Sequence, residues 1–472
     1  MHTQPGMTRP DSSQLRYVWF LATTAATGGL LFGFDIAIIS GAGPFLREHF
    51  HMGDWGLGSA FSALLWGCAI GCALAGYLAD RIGRRRLLLV VAALFAVTSV
   101  QTGLAWSVES LLLARFLGGL AVGAVSLLSP MYISEVAPPA MRGRLSTLYQ
   151  MSIVTGILVS YCINYGLRTA GPDNWRWMFA SGVVPSVLFL ALLTVAPETP
   201  RYLLMRGARA AARSILERVG ADAERALVEI SASLAAPRGG WRELLQPSIR
   251  RALWVGFGLA ILVHFSGINT VIDYAPTIFQ SAGWRLDAAL LSTFVIGVTN
   301  FLFTIVSFWT IDRFGRRPLY IGGSLGMAGT LGVLTVAAWL NHFQGPIVLI
   351  LILAYLVCFC SCIGPVFWTL LPEIYPNRVR GTAMVVPVLT QWIANAIVVQ
   401  VFPAALHRIG PTGTFGLLAL VSLAQALFAW RWVPETKQRS LEQIELFWEA
   451  SSRKGQLWPR ASSMIEPRRN TP

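Results

Sequence analysis

Long apolar runs alternate with short charged ones along the chain, and twelve of the apolar runs reach the roughly 20 residues that a helix needs to cross a hydrocarbon core. They begin near Tyr17, Leu57, Leu87, Leu111, Leu145, Trp177, Ala252, Ala288, Leu319, Pro346, Thr382 and Gly413. This pattern predicts an all-α membrane protein with twelve transmembrane helices.

Composition removes the soluble alternative. Of the 472 residues 54% are hydrophobic and only 13% charged, with a mean hydropathy of +0.58. That is too little polar material for a water-facing surface, so lipid is the expected partner of most of it. The net charge of +14 does not read as a nucleic-acid patch, because the arginines fall on alternate loops. Four of the short loops carry Arg81, Arg84, Arg85 and Arg86; Arg142 and Arg144; Arg313, Arg316 and Arg317; and Arg378 and Arg380. The intervening loops carry only Arg47, Arg168, Arg176, Arg285 and Arg408. By the positive-inside rule the first set is cytoplasmic, and so are both termini, in a plasma membrane of bacterial inner-membrane type.

The six cysteines, Cys68, Cys72, Cys162, Cys358, Cys360 and Cys362, all lie in apolar runs and read as small hydrophobes, with no disulfide or metal site expected. The first sixteen residues are polar and lack the apolar core of a signal peptide. The chain from about Ser451 is polar and reads as disordered.

Internal repetition divides the chain. D-R-I-G-R-R at Asp80–Arg85 recurs as D-R-F-G-R-R at Asp312–Arg317, 232 positions later. E-V-A-P-P-A-M-R-G from Glu135 returns as E-I-Y-P-N-R-V-R-G from Glu373, offset by 238, and P-E-T at Pro197 returns at Pro434, offset by 237. Three matches in one order argue for a duplicated six-helix unit, the parallel-repeat plan of major facilitator transporters. The expected organisation is an N-terminal tail (1–16), a first half (17–197), a cytoplasmic helical linker (198–250), a second half (251–434) and a C-terminal tail (435–472). Within the linker, Ala208–Val219 and Ala223–Leu234 have helical patterning.

Gly83 and Gly315 suit the tight turns of the two D-R-x-G-R-R loops. Their acids and arginines, Asp80, Arg84, Asp312 and Arg316, can meet Glu135, Arg142, Glu373 and Arg380 at neighbouring span ends. Together these eight residues form a candidate cytoplasmic gate that pairs and breaks during the cycle. For any one arginine the alternative is topology determination alone. Glycines in Gly28–Asp35, Gly67–Gly71 and Gly118–Gly123 read as close-packing positions.

These motifs, with S-P-M-Y-I-S-E-V-A-P-P-A-M-R-G, P-E-T-P-R-Y-L, S-G-I-N-T-V-I-D-Y-A-P, G-P-V-F-W-T-L-L-P-E-I-Y-P and P-E-T-K, resemble the sugar porter family of the major facilitator superfamily over Gly28–Glu442. The resemblance implies the major facilitator fold, two pseudo-symmetric six-helix halves, and import of a monosaccharide or polyol of pentose, hexose or inositol class by alternating access. The family holds both proton symporters and uncoupled facilitators.

Asp35 is the sharpest candidate. A carboxylate inside an apolar span costs about 2.5–3.5 kcal/mol on insertion scales and is seldom idle. By resemblance Arg115 is its partner in proton coupling; a static buried pair is the alternative. The family's facilitators typically lack an acid here, which favours symport with the proton as coupling ion and no cofactor. Substrate contacts implied by the resemblance are Gln150, Asn269, Asn300, Trp368 and Gln391, with Trp392 and Asn395 as neighbours. Amides donate and accept, as a polyhydroxylated ligand requires, and tryptophan offers a face for its C–H surface. A lone asparagine in a span can equally bridge helices.

Three positions depart from the family pattern. Val263 and His264 stand where two glutamines are common, so one amide is lost while neutral His264 still donates and accepts; titration of His264 is the alternative. Asp273 stands in place of a tyrosine, as a ligand or as a wetted residue at the cavity mouth. Ile157 replaces a glutamine used by some bacterial members. The competing classes are an uncoupled facilitator, a sugar sensor, which usually has a longer tail, and a membrane enzyme, for which we find no H-E-x-x-H, no G-x-S-x-G and no paired His and carboxylate motif. A monomer is expected.

Overall fold

The computed structural model describes residues 11–138, 141–235, 241–376, 378–437, 443, 444 and 448, and for Arg142, Trp241 and Asp312 the backbone alone. Among the described residues every regular element is helical. Twelve helices among the described residues are long and apolar enough to cross a membrane: Ser12–His49, Asp54–Ile82, Arg84–Gly103, Val108–Val136, Gly143–Leu167, Asn174–Val195, Pro247–Asp273, Leu286–Ile311, Arg316–Trp339, Pro346–Ile374, Arg380–Arg408 and Gly410–Trp432. They are numbered here as spans one to twelve. The protein is integral to a membrane. Leu74, Val90, Leu113, Val187, Ile305 and Leu420 are exposed, a cost in water that hydrocarbon removes. Trp106, Trp177, Trp339 and Trp430 are exposed too, as interfacial aromatics are.

The chain forms two compact units, Met1–Ala236 and Pro237–Pro472. In the first, the initial span starts at Ser12, ahead of the apolar run that begins at Tyr17, because Asp11 caps it. The Asp11 carboxylate accepts from the main-chain N–H of Ser13 and Gln14, both at 2.8 Å, and the Gln14 side chain returns a bond to Asp11 N. Spans two and four pack closely through glycines. A Cβ on Gly67 would collide with the Phe116 carbonyl, and one on Gly119 with that of Leu64. Spans one and five meet the same way, through Gly33 and Gly156.

Beyond span six come helices Pro200–Met205, Arg209–Arg218 and Ala223–Ala235. Ala212, Leu216, Ala223 and Leu227 form a small core of their own, backed by Leu203 and Leu204. The start of span one rests on this layer, with Gln14 donating to the Glu217 carbonyl at 3.2 Å and Arg218 lying over the Tyr17 ring.

The second unit holds spans seven to twelve, two of which are irregular in ways the apolar patterning did not predict. Span seven is helical over Pro247–Phe265, then breaks and resumes as Ile268–Asp273 and Ala275–Ser281. Gly267 supplies the break with φ of +89°, a conformation glycine adopts without steric cost. Span ten runs as α-helix over Pro346–Cys358, widens into a π-turn at Phe359–Ile363 and continues as Gly364–Ile374. Of the C-terminal segment, Trp448 is buried and its indole N–H donates to the Ile374 carbonyl at 3.0 Å. The segment from Ser451 lies outside the described residues.

Candidate functional site

The first half holds a part-buried ion pair inside its membrane-spanning helices, with the Asp35 side chain 19% exposed. Asp35 comes from the middle of span one and Arg115 from the third turn of span four. Arg115 Nη1 lies 2.8 Å from Asp35 Oδ1 and 3.2 Å from the Asp35 main-chain oxygen. Arg115 is only 2% exposed, and its guanidinium stands 5.4 Å from the centre of the Phe179 ring. Gly118, one turn on from Arg115, leaves the room this needs, since a Cβ there would touch Asp35 Oδ2. Arg115 Nε and Nη2 are buried without a partner among the described residues. Beside the pair is a cavity of about 10 Å³, lined in part by Thr98, Ser99 and Thr102, room for about one water. A buried pair of this kind is balanced between Coulomb attraction and desolvation, and removing one partner costs about 3–5 kcal/mol. Protonating Asp35 would remove the attraction without removing the side chain.

In the second half His264 and Gln391 come together across spans seven and eleven, with His264 Nε2 3.4 Å from Gln391 Oε1. An N–H facing that oxygen leaves Nδ1 as acceptor, and Nδ1 is buried without a partner among the described residues. Asn395 lies one turn beyond Gln391 and both are buried, as is Trp392. Asn300, buried in span eight, has its side-chain oxygen bonded to Thr304 and Cys360. Trp368 is 44% exposed and packs edge-on against Phe367. Asn269 is half-buried, two residues after the break at Gly267, and Gln150 is half-buried in span five of the first half. Val263 and Ile157 are buried. Asp273 is buried at the end of its short helix. The next residue, Tyr274, anchors that helix by donating to the Val399 carbonyl at 3.0 Å.

The charged motifs close within each half. Arg84 pairs with Asp80 at 2.9 Å and with Glu135 at 3.1 Å. Arg316 pairs with Glu373 at 3.0 Å. The side chains of Arg142 and Asp312 lie outside the described residues. Arg380 bonds the Tyr375 carbonyl at 3.3 Å, and no ion pair joins it to Glu373 among the described residues; the Glu373 oxygens go to Arg316 and to the Thr436 hydroxyl.

Two residues that sequence reasoning missed complete these clusters. Glu198 accepts from the main-chain N–H of Arg84 at 3.0 Å and of Arg85 at 3.1 Å, capping span three. Glu435 does the same for Arg316 and Arg317 at the start of span nine. Arg85 in turn donates to the Leu193 and Thr194 carbonyls at the end of span six, and Arg317 to the Trp430 carbonyl at the end of span twelve. Each half thus ties the start of one helix to the end of another through both helix dipoles. The signal was the recurrence of P-E-T. The reading that no G-x-S-x-G is present is wrong, since Gly322–Gly326 is such a string. It lies inside the helix of span nine, where Ser324 donates to the Tyr320 carbonyl at 2.7 Å, so it makes no nucleophile elbow.

The family model described as "Sugar (and other) transporter" matches residues 21–448. This chain belongs to that family. It is a sugar-transporter-family protein of the major facilitator superfamily, and its activity is transport rather than catalysis. Among its relatives are the D-xylose-proton symporter of Escherichia coli, 37% identical with 93% of this chain and 97% of the relative covered, and the arabinose-proton symporter of Bacillus subtilis, 35% identical with 94% and 98% covered. The fold matches a partially occluded inward-open structure of the E. coli xylose transporter with TM-score 0.81, 36% identity and coverage of 90% of this chain and all of the other. It also matches that proton:xylose symporter bound to 6-bromo-6-deoxy-D-glucose, at TM-score 0.76 and 36% identity over 92% of this chain and all of the other.

Proposed function

We propose that this transporter imports a monosaccharide or polyol together with a proton by alternating access, with Asp35 as the proton carrier and Arg115 as its partner. The observation that carries this is the pair itself. A carboxylate and a guanidinium 2.8 Å apart within the membrane-spanning helices form a switch that one proton can open. With Asp35 ionised the pair holds spans one and four in one arrangement; with Asp35 protonated Arg115 is released to other acceptors. Entry of one charge is worth about 2.3 kcal/mol per 100 mV of membrane potential, enough to concentrate a neutral sugar about fortyfold.

The substrate contacts we assign are Gln150, His264, Asn269, Asn300, Trp368, Gln391, Trp392 and Asn395. Buried amides and an imidazole suit a neutral ligand whose hydroxyls donate and accept, and half-exposed Trp368 suits its C–H face. Xylose and arabinose symporters among the relatives support a pentose, and the glucose analogue bound to the xylose symporter supports a hexose. The gate we assign comprises Asp80, Arg84, Glu135, Arg142, Asp312, Arg316, Glu373 and Arg380. The same reading makes the protein a monomer in lipid with cytoplasmic termini, and it needs no cofactor beyond the proton.

The test is proton movement in de-energised cells expressing the protein, to which D-xylose, L-arabinose, D-glucose, D-galactose and myo-inositol are added in turn. External alkalinisation by one of them, absent in Asp35→Asn, is the expected result. Entry of labelled sugar without proton movement would instead make the protein a facilitator and Asp35 a packing residue.

A further inference from the structure

Span ten changes pitch just ahead of Pro365. In an α-helix the N–H of residue 365 would bond the carbonyl of Ser361, but Pro365 has no N–H. The helix widens into the π-turn Phe359–Ile363, and the Ser361 carbonyl takes the Thr310 hydroxyl of span eight at 3.1 Å. Single π-turns of this kind often mark functional positions. This cross-link sets the turn against a polar row on span eight, Asn300, Thr304, Ser307 and Thr310, of which the first three are buried.

Cys360 precedes Ser361 in that turn and reaches the first member of the row. Its Sγ lies 3.2 Å from Asn300 Oδ1, and the Thr304 hydroxyl lies 3.3 Å from the same oxygen. Cys360 and Asn300 are 4% and 5% exposed. The carboxamide oxygen is therefore held by a thiol and a hydroxyl, while the Asn300 NH2 group donates to no residue among those described. A thiol is a weak donor, but here it comes from the neighbouring span, so it fixes the amide against a second helix as well as within its own.

We propose that Cys360 is a positioning residue for substrate recognition, holding the Asn300 carboxamide with its oxygen turned into the protein so that its NH2 is presented to an oxygen of the sugar. This rests on the assignment of Asn300 as a substrate ligand. Fixing one end of the amide makes Asn300 a donor only, matched to a hydroxyl that accepts there and donates elsewhere, and it saves the ordering of a free rotor on binding.

The test is initial uptake in proteoliposomes by wild type, Cys360→Ala, Cys360→Ser, Asn300→Ala and the double variant Asn300→Ala/Cys360→Ala, with labelled D-xylose, L-arabinose and D-glucose in parallel. Cys360→Ala is expected to raise KM about threefold to tenfold, the scale of one modest hydrogen bond, with maximal rate kept. Cys360→Ser, which restores a donor, is expected to return KM to near wild type. Cys360→Ala is expected to have no further effect once Asn300 is alanine. An effect of Cys360→Ala that is equal in both backgrounds, or is not rescued by serine, would mean packing alone and overturn the proposal. If Asn300→Ala raises KM and Cys360→Ala does not, positioning fails while the ligand assignment stands. If Asn300→Ala leaves KM unchanged, or none of the three sugars enters, the assignment fails and the proposal with it.

Discussion

Glu198 Oε1 sits 3.0 Å from the main-chain nitrogen of Arg84, so the acid of the first P-E-T caps a helix that begins 114 residues earlier in the chain. Its repeat counterpart Glu435 caps span nine at 3.1 Å from Arg316 N. Capping by an acid satisfies exposed donors and opposes the helix dipole. Glu198→Ala and Glu435→Ala are each expected to destabilise their own half by about 1 kcal/mol, seen as a lower thermal midpoint of detergent-solubilised protein. Glu198→Gln, which keeps an acceptor, should lose less. Midpoints unchanged in both alanine variants would contradict the capping role.

Close packing of spans two and four predicts a steep steric response. Gly67→Val should prevent the approach to the Phe116 carbonyl and abolish a monodisperse peak on fluorescence-detected gel filtration. Gly322→Ala, where a Cβ meets nothing within 4 Å, should leave the peak unchanged. Equal profiles for the two would remove the glycine argument.

His264 offers Nδ1 as a buried acceptor and its Nε2 side to Gln391. His264→Ala is expected to raise the KM for the transported sugar about tenfold, the loss of one or two hydrogen bonds. His264→Gln should recover most of that and keep the pH profile of uptake. A profile displaced in His264→Gln would assign the imidazole to proton coupling.

Arg84 bridges Asp80 and Glu135. If these pairs form a latch, Glu135→Gln should shift the balance of conformations, read as altered accessibility of engineered cytoplasmic cysteines, and change the rate of transport. Unchanged accessibility and rate would leave the cluster a fold element only.

The fold was legible because lipid imposes a simple rule: twelve apolar runs must become helices, and three repeated motifs divide them into two sets. Asp35 stood out because a charge in an apolar run needs a reason. The breaks in spans seven and ten were harder to read. Gly267 and Pro365 are visible, but apolar runs tolerate glycine and proline where neighbours re-satisfy the backbone, as Thr310 does for Ser361. Glu198 and Glu435 were quoted within P-E-T yet unread, because their partners are main-chain N–H groups that carry no side-chain signature. Cys360 passed as a small hydrophobe for a similar reason, since its partner Asn300 lies 60 residues away.

The most direct test of proton coupling through Asp35 compares two modes of transport in the same proteoliposomes. Wild type under an imposed inward proton gradient is expected to accumulate labelled sugar above the outside concentration. Asp35→Asn is expected to equilibrate sugar without accumulating it, while retaining sugar-for-sugar exchange at zero gradient. Accumulation by Asp35→Asn equal to that of wild type would contradict the assignment of Asp35 as the proton carrier.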